Sequence, residues 1–282
     1  MNRIVAAIVL AAFAAASAGC TTPNGMQTPP AANAASQTGN AQHPWERAQA
    51  VVRATNEAAS KGGIGAIRTH VPDLENVLAG ANQAFSVASA STNPAYVLTD
   101  GQTETIAALL FASAGVGGRA PGTQVVAIEN PYPLASFFLG TYYNEIGRPG
   151  DALRALDAGL ALPTAIPGAD SGETRPMMLS ERGIALAALK RWEDSLASYN
   201  RGLAIERLDN VQRAVLLRGR GFALIELGRL DDAERAYRES LMVEPNNPRA
   251  LQELTYIMRL KAGGPRTAPE IMTRMPPPPP SL

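Results

Sequence analysis

The 282-residue chain has a single cysteine, Cys20, and two histidines, His43 and His70. That scarcity excludes a disulfide framework and any cysteine- or histidine-rich metal centre. Lysine is nearly as rare: Lys61, Lys190 and Lys261 are the only ones, so arginine carries the basic side. Neither sign is in excess, since 25 Lys and Arg match 25 Asp and Glu. A nucleic-acid binder or a polybasic membrane-surface binder needs a cationic surplus, and this chain lacks one. Aromatic residues make up 5% of the chain although 46% is hydrophobic. Apolar mass dominated by alanine belongs to helices packed closely through small side chains. No nucleophile stands at a readable spacing from a general base. The expectation is a non-catalytic helical protein with no cofactor, no metal and no nucleic-acid partner.

The first twenty residues, MNRIVAAIVLAAFAAASAGC, set Arg3 before an apolar run from Ile4 to Ala18. A membrane-crossing helix needs about 20 apolar residues. This run is shorter, so residues 1–19 read as a signal peptide. Its ending, Ser17-Ala18-Gly19-Cys20, resembles the lipobox of bacterial lipoproteins, with Ser17 where that pattern prefers an aliphatic residue. The resemblance implies cleavage before Cys20 and lipidation of its sulfur. Because Thr21 follows, and not aspartate, it also implies the periplasmic face of the outer membrane. Residues 20–43 carry no Asp, Glu, Lys or Arg and are rich in Thr, Pro, Ala, Asn, Gly and Gln. They read as a flexible tether with an average reach of about 25–30 Å. Residues 263–282, which include Pro276–Pro280, read as a disordered proline-rich tail.

Residues 44–130 read as a mostly helical region. Ala48, Val51, Val52, Ala58 and Ala59 recur at helical spacing, and Leu74, Val77, Leu78 and Ala81 mark one face of more helix over Ile64–Ala90, broken or bent near Pro72. Tyr96–Thr99 and Gln124–Ile128 are short runs of strand type around a helical stretch, Thr103–Ala114, which predicts a small β insertion. The glycine-rich stretch Gly115–Gly122 lacks the lysine of a phosphate loop and follows a helix where that motif follows a strand, so it reads as a loop. Asp73, Glu75, Asp100 and Glu104 come nearest to a carboxylate cluster, at spacings that define no chemistry.

From Pro133 the chain repeats. Gly140, Gly183 and Gly221 stand second in the blocks LGTYYNEIG, RGIALAALK and RGFALIELG. Gly147, Lys190 and Gly228 follow at a turn, then the small residues Ala152, Ser195 and Ala233, then Leu156, Tyr199 and Tyr237. These residues resemble the tetratricopeptide repeat (TPR), a helix–turn–helix unit of 34 residues. The small residues allow close helix approach, the turn residue ends the first helix at positive φ, and the large residues fill the gap to the next unit. The offsets of 43 and 38 leave nine and four extra residues between units. The first insertion is the loop Pro163–Pro176. The acid pairs Glu193-Asp194 and Asp231-Asp232 recur in the first turn of second helices, where carboxylates complement the helix dipole and can cap free N–H groups.

The resemblance implies an all-α solenoid of three units, 133–166, 176–209 and 214–247, followed by a capping helix over 248–262. It also implies a concave groove built from first helices. Carried onto this sequence, the groove positions include Phe137, Thr141 and Asn144, then Ile184, then Arg218 and Phe222. A largely apolar groove with Arg218 as its cation suits a peptide or an amphipathic helix, with Arg218 orienting an acidic group. The alternative is that the chain's own N-terminal helices or tail cover these side chains. Together these features describe a lipid-anchored periplasmic adaptor that binds a protein partner. A narrower reading is a lipoprotein of pilus or secretion-system assembly. A reading of a different class is an enzyme or regulator of envelope polymers using residues 44–130, and it predicts a deep pocket with clustered carboxylates there.

Overall fold

The computed structural model describes residues 43–92, 94–115, 123–166 and 170–266. The signal peptide, Cys20, the tether up to residue 42 and the tail from residue 267 lie outside the described residues. Helix α1 (Pro44–Gly62) opens on a proline and buries Trp45, Ala48, Val52, Thr55 and Ala59 as one stripe. The stretch Ile64–Ala90 is broken near Pro72, as one of the two expectations has it, and it falls into three pieces: a 3-10 turn (Ile64–His70), α2 (Val71–Ala79) and α3 (Ala81–Ala90). Pro72 sits in the first turn of α2, where its missing N–H costs nothing, and Gly80 separates α2 from α3.

Strands β1 (Ala95–Thr99) and β2 (Val125–Glu129) pair in parallel, with Ala95 opposite Val125 and Thr99 opposite Glu129. Parallel neighbours need a long crossover, and α4 (Gln102–Ser113) supplies it. Two strands alone are marginal. This pair is supported by α4, which packs on both strands, and by α3, which packs on β1.

The remaining helices form an all-α solenoid of hairpins: α5 (Pro131–Glu145) with α6 (Pro149–Leu160), α7 (Arg175–Ala188) with α8 (Trp192–Leu203), and α9 (Asn210–Glu226) with α10 (Leu230–Val243). Helix α11 (Pro248–Lys261) packs on α10. The repeat mechanics are the same in each hairpin. A Cβ on Gly140 would stand 2.5 Å from Leu156, on Gly183 2.5 Å from Tyr199, and on Gly221 2.6 Å from Tyr237. Only glycine permits those approaches. Each first helix ends in the same C-terminal motif, in which Arg148, Arg191 and Arg229 donate their backbone N–H to Tyr143, Leu186 and Leu224 O, respectively. Seryl hydroxyls tie the helices together: Ser136 donates to Ala155 O, Ser195 to Gly183 O and Ser198 to Leu179 O.

The acid pairs lie in the first turns of α8 and α10, as the sequence predicts, but they do not cap those helices. Neither α8 nor α10 has a side-chain N-cap. Asp194 pairs with Arg191, and Asp232 with both Arg229 and Arg235; Asp151 of the first unit pairs in the same way with Arg148 and Arg154. Arginine at the turn competes better for these carboxylates than neutral N–H groups do. The core has two parts. One joins α1–α3 and Leu98 to the first hairpin and α7, and the other joins Leu196 of α8 to the third hairpin and α11.

Candidate partner-binding groove

Helices α5, α7 and α9 lie side by side as the inner layer of the solenoid. On α7 and α9, Ile184, Val215 and Phe222 are partly exposed. The Phe222 ring meets the Trp192 ring of α8 edge-on at 6.1 Å. Trp192 is absent from the groove positions the sequence predicts; its signal was being one of only two tryptophans. Among the described residues, the helices packed most extensively against α7 and α9 are their solenoid neighbours, and no other described helix covers this part of the inner face. Arg218 is already engaged: its Nη1 donates to Glu244 Oε2 at 2.6 Å, and Asn247 Nδ2 donates to the same oxygen at 2.8 Å. A partner's acidic group would have to displace Glu244.

The first hairpin is closed. Phe137 is 5% exposed and belongs to the core that α5 shares with α1–α3. Helices α1 and α2 and the 3-10 turn pack on α5 where a preceding unit would lie, and Tyr143 donates its hydroxyl proton to Glu75 of α2. Met177, Ala187 and Ile225, other positions carried over from the repeat pattern, are also buried. The structure therefore brings Ile184, Phe222 and Arg218 onto one face and withdraws Phe137 from it. Of the arginines at equivalent positions on α7 and α9, Arg182 Nε donates to Asp157 Oδ1 at 2.6 Å, whereas Arg220 Nε is buried without a hydrogen-bond partner.

Between α5 and α7 lies a polar cluster. Asn144, 7% exposed, donates through Nδ2 to the backbone oxygen of Glu181 at 3.0 Å and to its Oε2 at 2.9 Å. Asn144 Oδ1 and the neighbouring Thr141 Oγ1 are buried and accept no hydrogen bond. Removal from water pushes the Glu181 carboxyl up to about 7; the Asn144 amide opposes the shift and the Glu145 carboxylate adds to it. Glu181 occupies the place taken by Phe138 in the first unit and Gly219 in the third, and an acid at an otherwise enclosed position was the signal that could have found it.

A second cluster joins the β1–α4 turn to the insertion between the first two units. Asp100 accepts from the Thr174 N–H at 3.0 Å and the Thr174 hydroxyl at 2.8 Å. Glu104, 1% exposed, accepts from the Asp100 N–H at 2.8 Å and from the Ser171 hydroxyl. Burial raises the Asp100 carboxyl to about 7 against the Thr174 hydrogen bonds, helped by the like charges of Glu104 and Glu173. The adjoining cavity, about 10 Å³ and lined in part by Asp100, Glu104 and Arg175, has room for about one water molecule. Of the other acids in the sequence-level cluster, Asp73 is exposed and Glu75 is held by Tyr143. Among the described residues no group of His, Cys, Asp and Glu fits a metal ion, and no helix is long and apolar enough to cross a membrane.

A tetratricopeptide-repeat family model matches residues 214–247, the third unit. Similar solved structures include the first TPR domain of human RPAP3, 25% identical over 47% of this chain and 94% of that one, with a TM-score of 0.40. A second is the first TPR of Spaghetti (RPAP3) bound to the HSP90 peptide SRMEEVD, 24% identical over 48% of this chain and 97% of that one, with a TM-score of 0.40. A third is the APC/C hetero-tetramer Cut9–Hcn1, 15% identical over 78% of this chain and 41% of that one, with a TM-score of 0.39. A search of curated proteins returned no match. The fold and the matched repeat define a TPR-containing helical solenoid. Such repeats are generally non-catalytic modules for protein–protein interaction.

Proposed function

We propose that this chain is a non-catalytic scaffold, held by lipid on Cys20 at the periplasmic face of the outer membrane, that binds a peptide or helix of a partner protein along α7 and α9. The observation that carries the reading is the open inner face on which Ile184, Phe222 and Trp192 converge with no described helix over them. Partly exposed aromatic and aliphatic side chains on one face are the anchors that helix-in-groove recognition uses. The tight acidic cavity beside Asp100 supports a joint in the fold rather than a substrate site, because Thr174 and Ser171 already engage its carboxylates.

Two measurements test this. Palmitate labelling is expected for the wild-type chain and lost in Cys20→Ser; equal labelling of both would reject the anchor. In-cell crosslinking and mass spectrometry should lose the partner in a folded Ile184→Glu/Phe222→Glu double variant. Capture of the same partner by that variant would reject the groove.

A further inference from the structure

The chain leaves α11 by turning back onto the solenoid. Gly263 takes φ +83° and Gly264 donates its N–H to Arg259 O at 2.9 Å, which closes the helix and reverses the chain. Arg266 then reaches the C-terminal end of α9, where its guanidinium donates to Ile225 O at 3.3 Å and to Glu226 O at 3.4 Å. A cation suits that end, because the last carbonyls of a helix have no partner within it. Burial raises the Glu226 carboxyl above its ordinary range, and the Arg266 charge opposes the shift. Phe222 precedes Glu226 by one turn on the same face of α9, about 6 Å along the axis. The last described residue is therefore held beside the partly exposed Phe222–Trp192 pair. Residues 267–282 follow it and contain the unbroken run Pro276–Pro280. That run begins within about 33–36 Å of Arg266 at full extension, so reach is no obstacle.

We propose that Pro276–Pro280 docks across Trp192 and Phe222 of the same molecule, so that the tail is an occupant of the groove that a partner must displace. The displaced partner rests on the groove reading above; the aromatic pair itself gains a ligand class, a polyproline II segment. Such a segment makes no internal hydrogen bonds, which leaves its rings and carbonyls available, and aromatic-lined grooves are the surfaces it docks on. Trp192 offers a ring face and an indole N–H that can only donate, and Phe222 offers the second wall. Attachment through Arg266 favours the chain's own run over one from another protein, because a short connection holds it at an effective concentration on the order of mM. At that concentration an intrinsic Kd of about 1 mM covers the pair about half the time.

The test uses the full chain and acrylamide quenching of tryptophan emission. Trp45 is 2% exposed, so of the two tryptophans Trp192 is the one the quencher reaches. Replacing all five prolines of Pro276–Pro280 by serine should raise the quenching constant about twofold, as a half-covered ring becomes free. A synthetic peptide of residues 267–282 should reverse that gain, and Phe222→Glu in the serine variant should abolish the reversal. Quenching unchanged by the serine run, or a gain that the peptide does not reverse, overturns the docking. Quenching of the wild-type chain that rises on dilution makes the tail of a second copy the occupant and overturns the intramolecular assignment. In cells, the serine variant should crosslink its partner with about twofold higher apparent affinity, since a site free half the time binds at half strength. A partner still captured by Ile184→Glu/Phe222→Glu refutes the groove reading and leaves the quenching result standing, so the two failures are distinct.

Discussion

Lys190 has φ +59°, the left-handed conformation that Gly147 and Gly228 adopt at +74° in the same turn of the other two units. Its Cβ makes that conformation costly, and it is retained because the turn's backbone hydrogen bonds, Lys190 N–H to Ala187 O and Arg191 N–H to Leu186 O, require it. Lys190→Gly is expected to stabilise the protein by about 1 kcal/mol, read as a raised denaturation midpoint. The opposite change applies at Gly183. The Tyr199 ring is wedged against both Gly183 and Gly219, so it cannot retreat from an added methyl group. Gly183→Ala should destabilise by about 1–3 kcal/mol, measured by chemical denaturation. Both positions were legible in the sequence, because the repeat pattern marks them without reference to tertiary structure.

The insertion between the first two hairpins has a structural task that its sequence conceals. Read along the chain it is surplus length of a kind that loops tolerate. In the structure Ser171, Glu173 and Thr174 clamp the β1–α4 turn through Glu104, Gln102 and Asp100, and Arg175 reaches back to Leu160 O. The Asp100 carboxyl, lifted from its ordinary 3.8 to about 7, holds its proton more tightly folded than unfolded. Its favourable contribution is fully present below about pH 4 and is lost as pH rises through 7; Glu181 behaves alike. Stability should therefore fall between pH 5 and pH 8, and Asp100→Asn should flatten that slope in thermal melts across the range. None of this was visible beforehand, since Asp100 and Thr174 lie far apart in the chain and meet only when the solenoid closes on the β–α–β unit.

The molecule as a whole has a closed end and an open one. At the N-terminal side, α1–α3 share one core with the first hairpin and α7, and Phe137 is enclosed in it. At the C-terminal side, α11 buries Ala250 and Ile257 against the third hairpin, while Leu251 and Met258 face outward at 47% and 59% exposure. Nearest-neighbour solenoids lose stability locally. Ile257→Ala should cost about 2–5 kcal/mol, and hydrogen exchange should quicken in α9–α11 and remain slow in α5. Uniform quickening would show that the two cores unfold as one.

Periodic features are local, so the hairpins, their glycine contacts, their turns and the apolar spacing of the helices could be read from residue identities alone. Each depends on a residue's neighbours within one unit, and the chain states that pattern three times. Which inner side chains stay open was decided by packing between distant segments. Phe137 and Phe222 both stand at inner-helix groove positions, yet one is enclosed in the core shared with α1–α3 and the other is left partly exposed beside Trp192. Likewise, Arg218 reads as the cation of the groove until Glu244 closes on it. Burial and pairing come from contacts between segments far apart in the chain, and no spacing along the chain encodes them.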